Sequence, residues 1–299
     1  MSNTIERRTF LKTAGAVSAA MVSSGLCAGF GASEAGRGTP HAEKLGWRVG
    51  CQAYSFNRFT FYEAIDKVAS LGLGYIEAYP GQKLSAEKPD LKVGDDLSAE
   101  ARAEVKKKLA DSRVKLVCFG VVGLPKEEGA ARRVFDFAKD MGIETIVSEP
   151  TPDALDTIAK LCDEYQINVA IHNHPKPSRY WNPDTVLEAC QGRTKRLGAC
   201  ADTGHWMRSN INPIEAIKKL KGRIISFHFK DLNRYGQGAH DVPWGTGKAD
   251  VRAILQEVYQ QGFKGVFSAE YEHNWLNSLP EIAQSVAFFD QVAAELQKG

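Results

Sequence analysis

The chain has 299 residues, and its 38 Lys and Arg nearly balance its 36 Asp and Glu, for a net charge of +2. That balance removes the electrostatic case for a nucleic-acid binder, since nothing in it forms a strongly basic footprint. Of the six cysteines, five lie beyond the first segment, at Cys51, Cys118, Cys162, Cys190 and Cys200. An odd number without a CxxC pair argues against a cysteine metal site and reads as buried free thiols.

Residues 1–35 are set aside as a leader. Arg7-Arg8-Thr9-Phe10-Leu11-Lys12 precedes a weakly apolar stretch from Thr13 to Ala32. That stretch is too poor in large apolar side chains for a membrane span, and cleavage is expected near Ala35. Cys27 follows Leu26, not the small residue a lipoprotein signal wants. The segment resembles a Tat signal peptide, which implies an exported, periplasmic protein with no membrane attachment after cleavage.

From residue 36 onward, apolar runs alternate with amphipathic segments. The strands expected are Arg48–Phe56, Tyr75–Tyr79, Lys115–Val122, Thr145–Glu149, Asn168–His174, Leu197–Asp202, Ile224–Lys230 and Gly265–Glu272. Between and after them come helices at Thr60–Leu71, Ala99–Asp111, Glu127–Asp140, Asp153–Tyr165, Asp184–Gln191, Pro213–Leu220, Asp250–Gln261 and Pro280–Gln297. The polar stretch Gly81–Asp96 and the Gly-rich stretch Asn233–Lys248 read as loops. Strict alternation over about 260 residues predicts parallel strands, and eight units favour one closed (β/α)8 TIM barrel over residues 36–299. No Gly-rich turn follows the first strand, so no dinucleotide site is expected.

The ends of five runs carry acids or histidines: Glu149, His172 with His174, Asp202, His228 and Glu270. Side chains two apart share a face, so Ser226, His228 and Lys230 share one phase, as do Ser268, Glu270 and Glu272. A lone acid at a strand end is usually solvated. Several on successive strands would repel one another unless something cationic joined them, which points to a metal ion at the barrel's C-terminal rim.

Asp202-Thr203-Gly204-His205 and His228-Phe229-Lys230-Asp231, with Arg234 six residues past His228, make the chain resemble the xylose isomerase-like TIM barrels. This is the sugar phosphate isomerase/epimerase family that includes D-tagatose 3-epimerase and inosose dehydratase. The resemblance covers the chain from about Trp47. It implies Asp202, His228 and Glu270 as metal ligands, and His205 and Arg234 as substrate contacts. On strand five the family places a metal-binding, catalytic glutamate, whereas this chain reads Ile171-His172-Asn173-His174. Either Glu149 on the neighbouring strand supplies the missing carboxylate or His172 is itself the ligand.

The expected cofactor is one divalent ion, Mn, Zn, Mg or Co. It would stabilise the enediolate formed when a carbon-bound proton leaves beside a carbonyl. Glu149 or Glu270 is the expected base, with His174 or His205 as acid. Lys230, Glu77 and Trp206 are further expected substrate contacts, with Trp181 and Trp244 as other sugar-pocket walls. Isomerisation or epimerisation of a sugar or keto-sugar is the leading reading. A dehydratase or 3-keto-glycoside lyase, working by proton abstraction and β-elimination, is the alternative. An endonuclease IV-like phosphodiesterase would need a basic groove. A non-catalytic sugar-binding barrel is the remaining alternative, and homo-oligomerisation is left open.

Overall fold

A computed structural model describes residues 38–298. The leader expected over residues 1–35, Cys27 included, lies outside the described residues. A short helix, α1 (Pro40–Lys44), leads into β1 (Trp47–Gln52). Then follow α2 (Phe61–Ser70), β2 (Tyr75–Ala78), α3 (Ala99–Asp111), β3 (Lys115–Phe119), α4 (Glu128–Met141) and β4 (Thr145–Ser148). The chain continues with α5 (Leu155–Tyr165), β5 (Asn168–His172), α6 (Pro183–Cys190), β6 (Leu197–Asp202), α7 (Thr203–Arg208) and α8 (Pro213–Lys219). The last units are β7 (Ile224–Phe229), α9 (Val251–Gln260), β8 (Gly265–Ala269) and α10 (Leu279–Leu296).

Each strand pairs in parallel with its sequence neighbours, and β8 closes on β1, so the eight strands form the expected single-domain TIM barrel. Alternation along the strands separates two layers. Outward-facing Phe227, Phe229 and Phe267 pack with Trp47, Trp244 and Phe289, and the Phe227 and Phe267 rings stack at 4.7 Å. The opposite phase fills the lumen with Val117, Cys118, Val147, Ala170, Cys200 and Val266. Followed toward the strand ends, that inner phase becomes polar. Among the described residues no helix is long and apolar enough to cross a membrane.

Several strands are shorter than their apolar runs, ending at Phe119, His172 and Ala269. Beyond those points the backbone leaves the ladder while the side chains still turn inward, so apolarity overstates the strand. The first run breaks after Gln52, whose side-chain oxygen accepts from Tyr54 N (2.6 Å) and caps a 3-10 turn, Ala53–Phe56. Helix α7 was not expected. Asp202 creates it by accepting from His205 N (2.7 Å) at the end of β6. Asp231 organises the loop after β7, accepting from Gly245 N, Gly247 N and Ala249 N at 2.9, 2.9 and 3.0 Å.

All five cysteines among the described residues are buried and free. Burial pushes the Cys51 and Cys162 thiols up to about 12, so the reactive thiolate is scarce at neutral pH. Alkylation of the folded chain with iodoacetamide at pH 8 should leave these five thiols unmodified, and denaturant should expose them all. Fast labelling of any of them in the native state would contradict this burial.

Candidate metal centre and substrate cleft

The rim ends of β5 to β8 converge. One ligand atom each of His172, Asp202, His228 and Glu270 lies within 4.8 Å of the others, and all four side chains are buried. Partners behind the two imidazoles decide which nitrogens face inward. His228 Nε2 is 2.8 Å from Glu77 Oε1, and Glu77 Oε2 accepts from Ser268 Oγ at 2.7 Å. A carboxylate only accepts, so the His228 proton sits on Nε2. The bare Nδ1 then faces Glu270 Oε2 at 3.1 Å and has no hydrogen-bond partner among the described residues. His172 repeats the arrangement: Nδ1 is 3.1 Å from Glu149 Oε1, and Nε2 faces Asp202 Oδ2 at 3.5 Å without a hydrogen-bond partner among the described residues. Two buried lone pairs aimed at carboxylate oxygens repel them unless a cation lies between. The mixed nitrogen and oxygen donors, each imidazole braced by a carboxylate, fit a divalent metal ion.

A fixed cation already borders this cluster. The buried Lys230 ammonium meets Asp202 Oδ2 at 2.6 Å and also contacts Glu270 Oε2, with Glu272 Oε2 at 3.7 Å. Burial opposes ionisation of both carboxyls. His205 and Lys230 outweigh it at Asp202, as Lys230 and His228 do at Glu270, holding both well below the usual carboxylate range. Burial likewise disfavours charge on His172, yet Asp202 and Glu149 raise it above its ordinary value. At His228, Cys200, Glu77 and Glu270 outweigh burial in the same way. The cluster thus draws positive charge, as metal or as proton.

Gly204 makes room for the lysine. A Cβ there would lie 2.7 Å from Lys230 Cδ and 2.8 Å from its Cβ. Gly204→Ala should displace the lysine stem and cost about 1–3 kcal/mol, the usual penalty of overpacking. Chemical denaturation of the two proteins measures this, and unchanged stability would mean the lysine has slack.

Glu149 stands behind His172 rather than among the four donors. Its Oε1 also accepts from His174 N (2.9 Å) and faces His174 Nδ1 at 2.5 Å, while Oε2 accepts from Ser178 Oγ (2.9 Å). Glu149, His172 and His174 form a second group of close donors, with His172 common to both groups. Burial opposes ionisation of Glu149, but hydrogen bonds from His172 and His174 outweigh it and hold the carboxyl below its ordinary range.

A cavity of about 290 Å³ opens over the cluster, bordered by Gln52, Tyr54, Tyr79, His174, His205, Glu270 and Glu272. Expected contacts His174, His205 and Glu270 therefore line it. Others do not. Glu77 is fully buried and serves His228. Arg234 is exposed and donates to Gln237 O (2.8 Å) in its own loop. Trp206 and Trp244 are buried in the outer core, and Trp181 packs under Lys176 beside a separate surface hollow. Lys230 is buried against carboxylates rather than open to the cleft.

Gln52, Tyr54, Tyr79 and Arg208 were missed. Gln52 had a signal, because it ends the inner phase of β1. Arg208 had none, because the short helix α7 that carries it was not expected. The tyrosines fell inside the expected strands Arg48–Phe56 and Tyr75–Tyr79, whereas the structure puts Tyr54 on the 3-10 turn and Tyr79 just past β2.

The family model for the xylose isomerase-like TIM barrel matches residues 65–292. No curated protein matches the chain. Among solved structures, an uncharacterised protein from Parabacteroides distasonis ATCC 8503 is 33% identical, covers 82% of this chain and 99% of its own, and superposes with a TM-score of 0.68. A D-tagatose 3-epimerase-like protein is 17% identical over 84% of this chain and 98% of its own (TM-score 0.65). The IOLI protein, solved with a zinc atom bound, is 16% identical over 83% and 98% (TM-score 0.60). Fold, strand-end chemistry and family match agree: this chain belongs to the xylose isomerase-like TIM barrel family.

Proposed function

We propose that the chain is a metal-dependent isomerase or epimerase of an uncharged sugar or keto-sugar. The observation that carries this is the pair of buried, unpartnered imidazole nitrogens, His172 Nε2 and His228 Nδ1, facing Asp202 and Glu270 beneath an open cleft. His172, Asp202, His228 and Glu270 are the residues that would hold the ion. A divalent ion there supplies Lewis-acid charge to a carbonyl and its neighbouring hydroxyl, which makes the adjacent carbon-bound proton removable. Manganese or zinc suits two imidazoles and two carboxylates.

The chain's own groups do the rest. Glu270 borders both the metal cluster and the cleft, so it holds one end of a bound sugar. His174 and His205 offer ring nitrogens to the reacting atoms. Gln52 hands its amide to the wall, donating to Gly120 O (2.6 Å). Tyr54 and Tyr79, edge to face at 5.1 Å, with Trp275 5.6 Å from Tyr54, present apolar ring surface suited to a sugar's C–H face. Both nearby cations are engaged, Lys230 with Asp202 and Glu270, Arg208 with Glu272 and Asp241. Among the described residues no lysine or arginine borders the cleft, so a phosphorylated substrate lacks a counter-charge there. An uncharged substrate also suits the export expected from residues 1–35, which forms part of this proposal.

A lyase acting on 3-keto-glycosides is the second reading, favoured by the side-by-side placement of His174 and His205, ring centroids 5.2 Å apart. Inversion of one carbon calls for groups on opposite faces, whereas elimination works with neighbours on one. Incubation with keto-sugars and 3-keto-glycosides in D₂O, followed by NMR, separates the two. Deuterium entering at carbon without loss of a substituent is the expected result, and release of an aglycone would shift the assignment to lyase. Stoichiometric metal with no exchange on any substrate would sink the catalytic reading and favour a sugar-binding barrel.

A further inference from the structure

His174 and His205 face the same cleft, and each has its Nδ1 tied to a group with only one hydrogen-bonding role. His174 Nδ1 is 2.5 Å from Glu149 Oε1, a carboxylate oxygen that accepts. His205 Nδ1 is 3.0 Å from Arg208 Nη1, and a guanidinium only donates. His174 therefore carries a proton on Nδ1 and presents the lone pair of Nε2. His205 takes a hydrogen bond at Nδ1 and carries its proton on Nε2, 3.6 Å from Asp202 Oδ2.

Both locks are braced. Glu149 is pinned by His174 N and Ser178 Oγ. Arg208 is held by Glu272 Oε2 (2.5 Å), Asp241 Oδ2 (2.9 Å) and Ala239 O (3.3 Å). Neither partner can turn away without abandoning several other bonds.

We propose that Glu149 and Arg208 lock these two histidines in opposite tautomers, making His174 Nε2 the proton acceptor and His205 Nε2–H the hydrogen-bond donor toward a keto-sugar in the cleft. The proposal rests on the function given above. His174 Nε2 takes the proton from the carbon beside the carbonyl. The C–H electron pair becomes a carbon–carbon double bond, and the carbonyl π pair moves onto oxygen, where His205 Nε2–H donates without losing its proton. The proton on His174 then goes to the former carbonyl carbon while the α-hydroxyl proton crosses to the former carbonyl oxygen, or it goes to a β-oxygen whose bond to carbon breaks as the carbonyl re-forms, and the imidazole is neutral again. Arg208 acts through His205 and is a positioning residue.

Ring ¹⁵N–¹H correlation NMR on the full chain, metal-free and zinc-loaded, reads the tautomers directly, with signals assigned through His174→Gln and His205→Gln. The expected result is Nδ1–H with bare Nε2 for His174 and the reverse for His205. Arg208→Met should release the His205 tautomer, and Arg208→Lys, which keeps a donor, should retain it. The same tautomer in both rings, or a His205 ring indifferent to Arg208→Met, would overturn the lock. His174→Gln should slow deuterium exchange into a keto-sugar at least 100-fold, and unchanged exchange would overturn the acceptor role. The lock observed in a wild-type chain that exchanges no keto-sugar proton would uphold the lock and reject the proposed function instead.

Discussion

Replacing Lys230 with methionine should destabilise the metal-free chain strongly and the metal-bound chain far less. The side chain is completely buried, and its ammonium meets both Asp202 and Glu270. Methionine keeps most of the volume and removes the charge. Two buried carboxylates are then left without the ammonium that joined them. Removing one partner of a buried ion pair typically costs about 3–5 kcal/mol, because the remaining charge is uncompensated. A divalent ion would restore the missing positive charge at the same oxygens. Urea denaturation of wild type and variant, each with and without zinc, gives the four stabilities needed. Equal losses in both states would mean that lysine and metal act at separate places, and a harmless substitution would mean that the carboxyls protonate at little cost.

The barrel was legible because its strands are buried on both faces. Each reads as an apolar run, and alternation with helices leaves few topologies. The inward direction of two cluster residues was legible for a related reason: His228 and Glu270 stand in phase with Ser226 and Ser268, so it follows from counting by two. What sequence could not resolve was the choice between Glu149 and His172. Both share the inward phase of adjacent strands, and only the paired register places one imidazole between the carboxylate and the cluster. Arg234 could not be placed from sequence because loop position does not fix side-chain direction, and its guanidinium donates to carbonyls of its own turn. Arg208 was hidden because α7 has no amphipathic run to announce it. That helix exists through a side-chain cap on Asp202, a single bond that leaves no periodic trace. Trp206 and Trp244 were drawn toward the pocket by residue type, yet large aromatics are worth most where they displace most water, and both fill the outer core.

Metal loss should follow the division between donors and braces. His172→Ala and His228→Ala each remove a nitrogen from the four-donor cluster, so either variant should purify with little or no bound metal. Glu149→Gln and Glu77→Gln leave all four donors in place and remove only the carboxylate behind an imidazole. Losing such a brace typically weakens metal affinity by about 10–100-fold, so these variants should still load at high metal concentration. The same split should appear in stability. A site filled at a hundred times its Kd adds about 2.7 kcal/mol, which a chelator would take from the wild-type chain and from neither alanine variant. Acid should mimic the chelator, since protons compete for the same ring nitrogens and carboxylates. Elemental analysis alongside thermal unfolding with and without EDTA tests every part. If Glu149→Gln emptied the site while His172→Ala kept its ion, the ligand would be the carboxylate, with His172 as its brace. If chelation left wild-type stability untouched, the four donors would be an ion-pair network closed by Lys230 rather than a metal centre.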